Sequence, residues 1–161
     1  MVKWFRLTQN HYLGIFALGL IFFVLQQLPY IIMPLIKMES NPLMEMQDKS
    51  AALNVAEKIL GVSCVVVMLF LVSGHDKWFS LSTPKEKIFF GIAITAIIGY
   101  FIGWIFYCNG FQSLPLILCL LVAPPPIYYA FIGLWRENYV LAVIGGTFLI
   151  THILNVWNNL N

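Results

Sequence analysis

Five long apolar runs, separated by short stretches that carry nearly all the charge, set the pattern of this chain. They occupy residues 12–36, 51–73, 87–107, 114–135 and 139–157. Runs of roughly 20 residues, wound as helices at about 1.5 Å per residue, match about 30 Å of hydrocarbon. Local signals support the boundaries. Ser50 stands as an N-cap before the second run and Gly74 as a stop after it. Thr83-Pro84-Lys85-Glu86 has the form of a capping box, and Asn41-Pro42 and Asn109-Gly110 read as turns. Pro29 and Pro34 should kink or end the first span.

The fourth run, Leu114–Trp135, places Pro124, Pro125 and Pro126 at its centre. Each proline lacks an N–H and crowds the carbonyl one turn back, so a regular helix through them would cost about 3 kcal/mol or more per interior proline. Lipid supplies no partner for the freed carbonyls. The expectation is a broken fourth helix near the centre of the bundle, with polar groups from other spans gathered beside it. If this run only dips into the membrane and returns, the chain has four spans.

Composition narrows the class. With 60% hydrophobic residues, 10% charged and a mean hydropathy of +0.84, the chain lies far from a soluble domain. The fold class expected is an all-α integral membrane protein, a compact bundle of five transmembrane helices in one domain over residues 1–161. The first run is too long for a signal core and no small-x-small cleavage site follows it, so it reads as an uncleaved span. No basic run suggests nucleic acid. Cys64, Cys108 and Cys119, without CxxC spacing and in or beside apolar runs, read as small hydrophobes.

Charge placement sets the topology. With the N-terminus inside, the inner side holds Lys3, Arg6, Lys77, Lys85, Lys87 and Arg136, and the outer side Lys37, Lys49 and Lys58. Six against three favours a cell-membrane protein with a cytoplasmic N-terminus and an external C-terminus. Trp4, Trp78, Trp104, Trp135 and Trp157 fall near span ends, as an interfacial belt requires, and His75, Asp76, Lys77, Arg136 and Glu137 read as a solvated inner rim. Gly99-x-x-x-Gly103 would let a neighbouring helix approach closely.

Few residues carry candidate chemistry. In the second span Asn54, Glu57, Gly61 and Cys64 share one helical face, with Glu57 about 10 Å below the outer end. His152 and Asn155 lie at similar depth in the fifth span, Gln26 and Gln27 reach the same half of the membrane, and Tyr128 and Tyr129 follow the prolines. A polar cluster of Gln26, Gln27, Glu57, Tyr128, Tyr129, His152 and Asn155 is therefore the candidate ligand-binding site. Intramembrane ionisable groups are costly and by default suggest function. Blander roles compete: Glu57 complementing the helix N-terminus, His152 tying its helix to a freed carbonyl, and the glutamines acting as interhelical glue. A paired Glu57 and His152 would be able to exchange a proton near neutral pH. His11, His75 and His152 do not make an axial haem pair, and no metal motif, nucleophile–base pair or paired aspartate site is present, so no cofactor is expected.

The span count and small size are similar to those of the translocator protein family, but the tryptophan-x-proline-proline signature of that family is missing. Ala123–Tyr129, followed by Gly146 and His152, resembles segments of small bacterial membrane proteins, a likeness that implies no activity.

Three functions fit. The first is binding of a small amphipathic molecule or lipid in an outer-leaflet cavity, as a carrier or transporter accessory subunit. The second is a non-enzymatic interaction protein, an immunity or assembly factor, whose partner is another membrane protein or a second copy. The third is a membrane-embedded acid–base enzyme.

Overall fold

The computed structural model describes residues 2–36, 38, 40–74 and 79–161. Among the described residues, five helices are long and apolar enough to cross a membrane. They are α1 (Ala17–Ile32, extended to Leu35 by a 3-10 turn), α2 (Ala51–Phe70), α3 (Pro84–Cys108), α4 (Leu114–Trp135) and α5 (Tyr139–Leu160). This architecture fits a multi-pass membrane protein.

The chain is not all helical. Val2–Arg6 (β1) and His11–Ile15 (β2) form an antiparallel hairpin, and Leu71–Ser73 (β3) adds a third strand beside β2. The first helix therefore begins at Ala17 rather than residue 12, and the second gives way to strand after Phe70. The reason is non-local. Tyr12, Leu13, Val72 and Leu71 suit a helix or a strand, and pairing between β2 and β3 decides the matter.

α4 lies between α3 and α5, and 56% of its 18-residue apolar stretch is buried, against 11–33% of the corresponding stretches in the other four helices. Its prolines shift the helix rather than break it. Ile117–Val122 widens into a π turn, in which the Ala123 N–H bonds the Leu118 carbonyl at 2.9 Å. A new α segment then begins at Pro124. The three prolines thus occupy its first turn, where N–H groups have no helical partner in any case. Ala123 itself keeps helical angles, φ −69° and ψ −39°, so the axis continues. The carbonyls of Leu120 and Leu121 receive no N–H from the prolines in either register. Gly103 of α3 lies directly against Leu120 at this point.

The turn between α4 and α5 is tight. Asn138 N–H bonds the Gly133 carbonyl at 2.8 Å, Glu137 N–H bonds that of Leu134 at 3.2 Å, and Glu137 takes φ +54°. This is a Schellman closure, with glutamate in the left-handed position that glycine usually fills. Asn138 then caps α5 by accepting from Leu141 N–H at 3.1 Å, and its amide donates to the Leu71 carbonyl of β3 at 2.8 Å. One side chain ties the helix start to the sheet.

Other expectations need correction. Arg136 is no solvated rim residue: it is buried, with its guanidinium 5.1 Å from the Phe16 ring centre and 5.3 Å from that of Trp135. Burial lowers its pKa from the usual value, and Glu86 and Glu137 act against that shift. Trp104 and Trp135 are core residues, Trp104 packed edge-on to Tyr100 and Tyr107 and Trp135 donating to the Ser80 carbonyl at 2.8 Å. Trp4 and Trp157 are exposed. Lys37, Glu39, His75, Asp76, Lys77 and Trp78 lie outside the described residues. Gly99 and Gly103 do not form one face for a partner, because Gly99 is open while Gly103 is occupied by Leu120.

Candidate functional site

α1 stands at the edge of the bundle, and between it and α2 runs a cavity of about 450 Å³. Phe23, Gln26, Gln27 and Tyr30 line it from α1, and Glu57, Lys58, Gly61, Val62, Val65 and Val66 from α2. Pro125 and Tyr129 of α4 and Phe148 and His152 of α5 form its floor. Lys58, Val62 and Val66 are themselves exposed, so the cavity opens sideways between the two helices.

The polar end is built around Glu57. His152 Nδ1 stands 3.0 Å from Glu57 Oε1, inside ion-pair distance though off the line of a full hydrogen bond. The amide of Asn155 donates to the other carboxylate oxygen. Asn155 is held in turn by the Asn159 amide at 3.4 Å, and Asn159 Oδ1 accepts from Lys49 N–H at 3.0 Å. A relay of polar groups thus runs from the connector before α2 to the cavity wall. The helical period explains it: Asn155 and Asn159 are four residues apart, and His152 is three before Asn155, so all three share one face of α5. Phe148, four residues before His152, continues that face and stacks on its ring at 5.0 Å and 25°.

Gln26 organises the opposite wall. Its Oε1 accepts from Gln27 Nε2 at 2.7 Å and from Tyr129 OH at 3.0 Å, which joins α1 to α4 just beyond the prolines. Gln26 is 4% exposed and Tyr129 2%, so the bond between these two is shielded from solvent, where breaking it would cost about 1–3 kcal/mol.

The structure therefore brings Gln26, Gln27, Glu57, Tyr129 and His152 to one cavity, with Asn155 behind Glu57 rather than on the lining. Tyr128 does not join them. Successive helical residues point about 100° apart, and Tyr128 turns instead to Phe22, ring centres 6.0 Å apart, with its hydroxyl buried and without a hydrogen-bond partner among the described residues. His152 faces Glu57 and not a carbonyl freed by the prolines. The aromatic lining, Phe23, Tyr30 and Phe148, is absent from the sequence-derived set. The signal was present: Phe23 and Tyr30 lie three and four residues from Gln26, on its face of α1.

The arrangement suits a molecule with an apolar body and one polar group. Comparison with protein-family models, with curated proteins and with solved structures finds no match.

Proposed function

We propose that this chain is a multi-pass membrane protein, N-terminus cytoplasmic and C-terminus outside, that binds one small amphipathic molecule or lipid between α1 and α2, as a carrier or transporter accessory subunit. One observation carries the reading: an apolar cavity of about 450 Å³ ends on a carboxylate and an imidazole held in place by second partners. Ligand pockets of roughly 300–1,000 Å³ have this makeup, mostly apolar with a few converging polar groups. The ligand's apolar body would lie along Phe23, Tyr30, Val62, Val65 and Phe148, and its polar end against Glu57 and His152.

Gly61 offers the test. A Cβ there would sit 3.4 Å from the Phe148 ring, at ordinary contact, so a larger side chain projects into the cavity. Native mass spectrometry of the protein in mild detergent should show a co-purified amphiphile that Gly61→Leu removes while the helical circular dichroism is kept. An empty wild-type protein, or equal occupancy in Gly61→Leu, would overturn the reading.

The Glu57–His152 approach also favours a second reading, proton transfer to and from a bound molecule without net oxidation. It predicts that Glu57→Gln abolishes exchange of the ligand's protons with deuterated water while the ligand still binds. A carrier leaves that exchange at the solution rate with either side chain.

A further inference from the structure

The three-stranded sheet turns several apolar side chains outward. The register pairs Phe5 with Leu13 and Leu13 with Leu71, so these three make one row across all strands, and Val2 with Ile15 makes a second row on the same face. Phe5 is 68% exposed, Val2 54%, and Leu13 and Ile15 37% each. The other face carries the row Arg6–Tyr12–Val72, and there Val72 is 2% exposed. The first face, which also carries the row His11–Ser73 with Ser73 buried, thus exposes a patch of apolar side chains at Val2, Phe5, Leu13 and Ile15, while on the second face Val72 meets the protein and Arg6 stays exposed. Trp4, at the bulge where the β1 register shifts, and Leu7 add further exposed apolar surface.

The exposed row continues another surface. β3 starts on the residue after α2 ends, and β2 ends two residues before α1 begins. Along α2 the exposed residues Val55, Ile59, Val62, Val66 and Phe70 form one stripe at helical spacing, and Phe70 is followed by the half-buried Leu71, which pairs with the exposed Leu13 and through it reaches Phe5. Exposed apolar surface of this kind in water marks an interaction site or an aggregation hazard. Continuity with a stripe that faces lipid accounts for it.

We propose that the sheet is an interfacial anchor, its Val2–Phe5–Leu13–Ile15 face lying against the acyl chains at the rim of the bilayer. This rests on the chain being membrane-embedded as proposed above. In a background with Cys64, Cys108 and Cys119 replaced by alanine, nitroxide labels at Phe5→Cys, Leu13→Cys and Arg6→Cys are compared in phosphatidylcholine vesicles, with Ile98→Cys on the exposed side of α3 as the span control. Accessibility to dissolved oxygen relative to a water-soluble nickel chelate should be several-fold higher at positions 5 and 13 than at 6, and close to that at 98. Equal accessibility at 5, 6 and 13, with 98 still oxygen-rich, overturns the anchor and leaves the membrane reading standing. A water-exposed label at 98 overturns both. Spin–spin broadening between copies at position 5 would mean that a second copy covers this face, which also overturns the anchor. Two positions on two strands guard against one substitution that disturbs the hairpin.

Discussion

Gly103 and Leu120 pack backbone to backbone: a Cβ on Gly103 would lie 2.6 Å from the Leu120 Cβ and 2.9 Å from its carbonyl oxygen. The contact sits where the prolines leave that carbonyl without an N–H from the following turn. Gly103→Ala should push α3 from α4 and destabilise the protein by about 1–3 kcal/mol, the usual cost of overpacking. Gly99→Ala, one turn away with nothing within 4 Å, should be neutral or stabilising by up to about 1 kcal/mol, since alanine is the better helix former. Equal effects of the two substitutions on thermal unfolding in detergent would show the contact to be wrong.

Asn155 and Glu57 are expected to be strongly coupled. Asn155 is 3% exposed and its amide reaches the carboxylate from below, a charge-assisted bond. Asn155→Leu should cost about 1.5–3 kcal/mol, the range for a hydrogen bond to a charged group. In a double-mutant cycle with Glu57→Gln, a coupling energy of at least about 0.5 kcal/mol is expected, and independent effects would rule out a shared network.

At the start of α3, Thr83 Oγ1 accepts from Glu86 N–H at 3.1 Å and Glu86 Oε2 accepts from Thr83 N–H at 2.8 Å. Thr83→Ala removes half of this reciprocal pair and should cost about 1 kcal/mol, while Thr83→Ser should be near wild type. Chemical denaturation with both variants side by side measures it.

Asn138 has two jobs, and substitutions separate them. Asn138→Asp keeps the acceptor for Leu141 N–H but loses the donor to the Leu71 carbonyl, whereas Asn138→Ala loses both. The alanine variant should be less stable than the aspartate variant by about 0.5–2 kcal/mol, the worth of an N-cap. Hydrogen exchange should also rise at β3 in both variants, because the tie to the sheet is gone in each.

The helices were legible because their signals are local. Ser50 accepts from Leu53 N–H and Thr83 closes its capping box, just as the residues themselves suggest. The sheet was not legible, because Tyr12 and Leu13 choose strand only when Val72 and Leu71 arrive beside them. The depth of Glu57 and His152 follows from counting residues at about 1.5 Å each along their helices. Counting cannot choose between neighbours on one helix, and so Tyr128 and Tyr129 read alike in the sequence although only Tyr129 reaches the cavity. The prolines misled in another way. Their cost assumes α-helical spacing throughout, and the π turn at Ile117–Val122 removes that premise by adding a residue to one turn.

That added residue makes the length of α4 and its proline content interdependent. The two ends of the helix are out of phase by one residue step, about 100°, and their separate faces are fitted to α3 and α5 at that offset. Deleting a single residue between Ile117 and Val122 while keeping the prolines would rotate Leu114–Leu116 off its neighbours and force the rings back into a helix interior. Deleting it together with replacement of the prolines by alanine would restore an unbroken ladder, but with the same rotation. The span thus works as a keyed joint: its two halves can be cut to other sequences, but only with the tooth left in place.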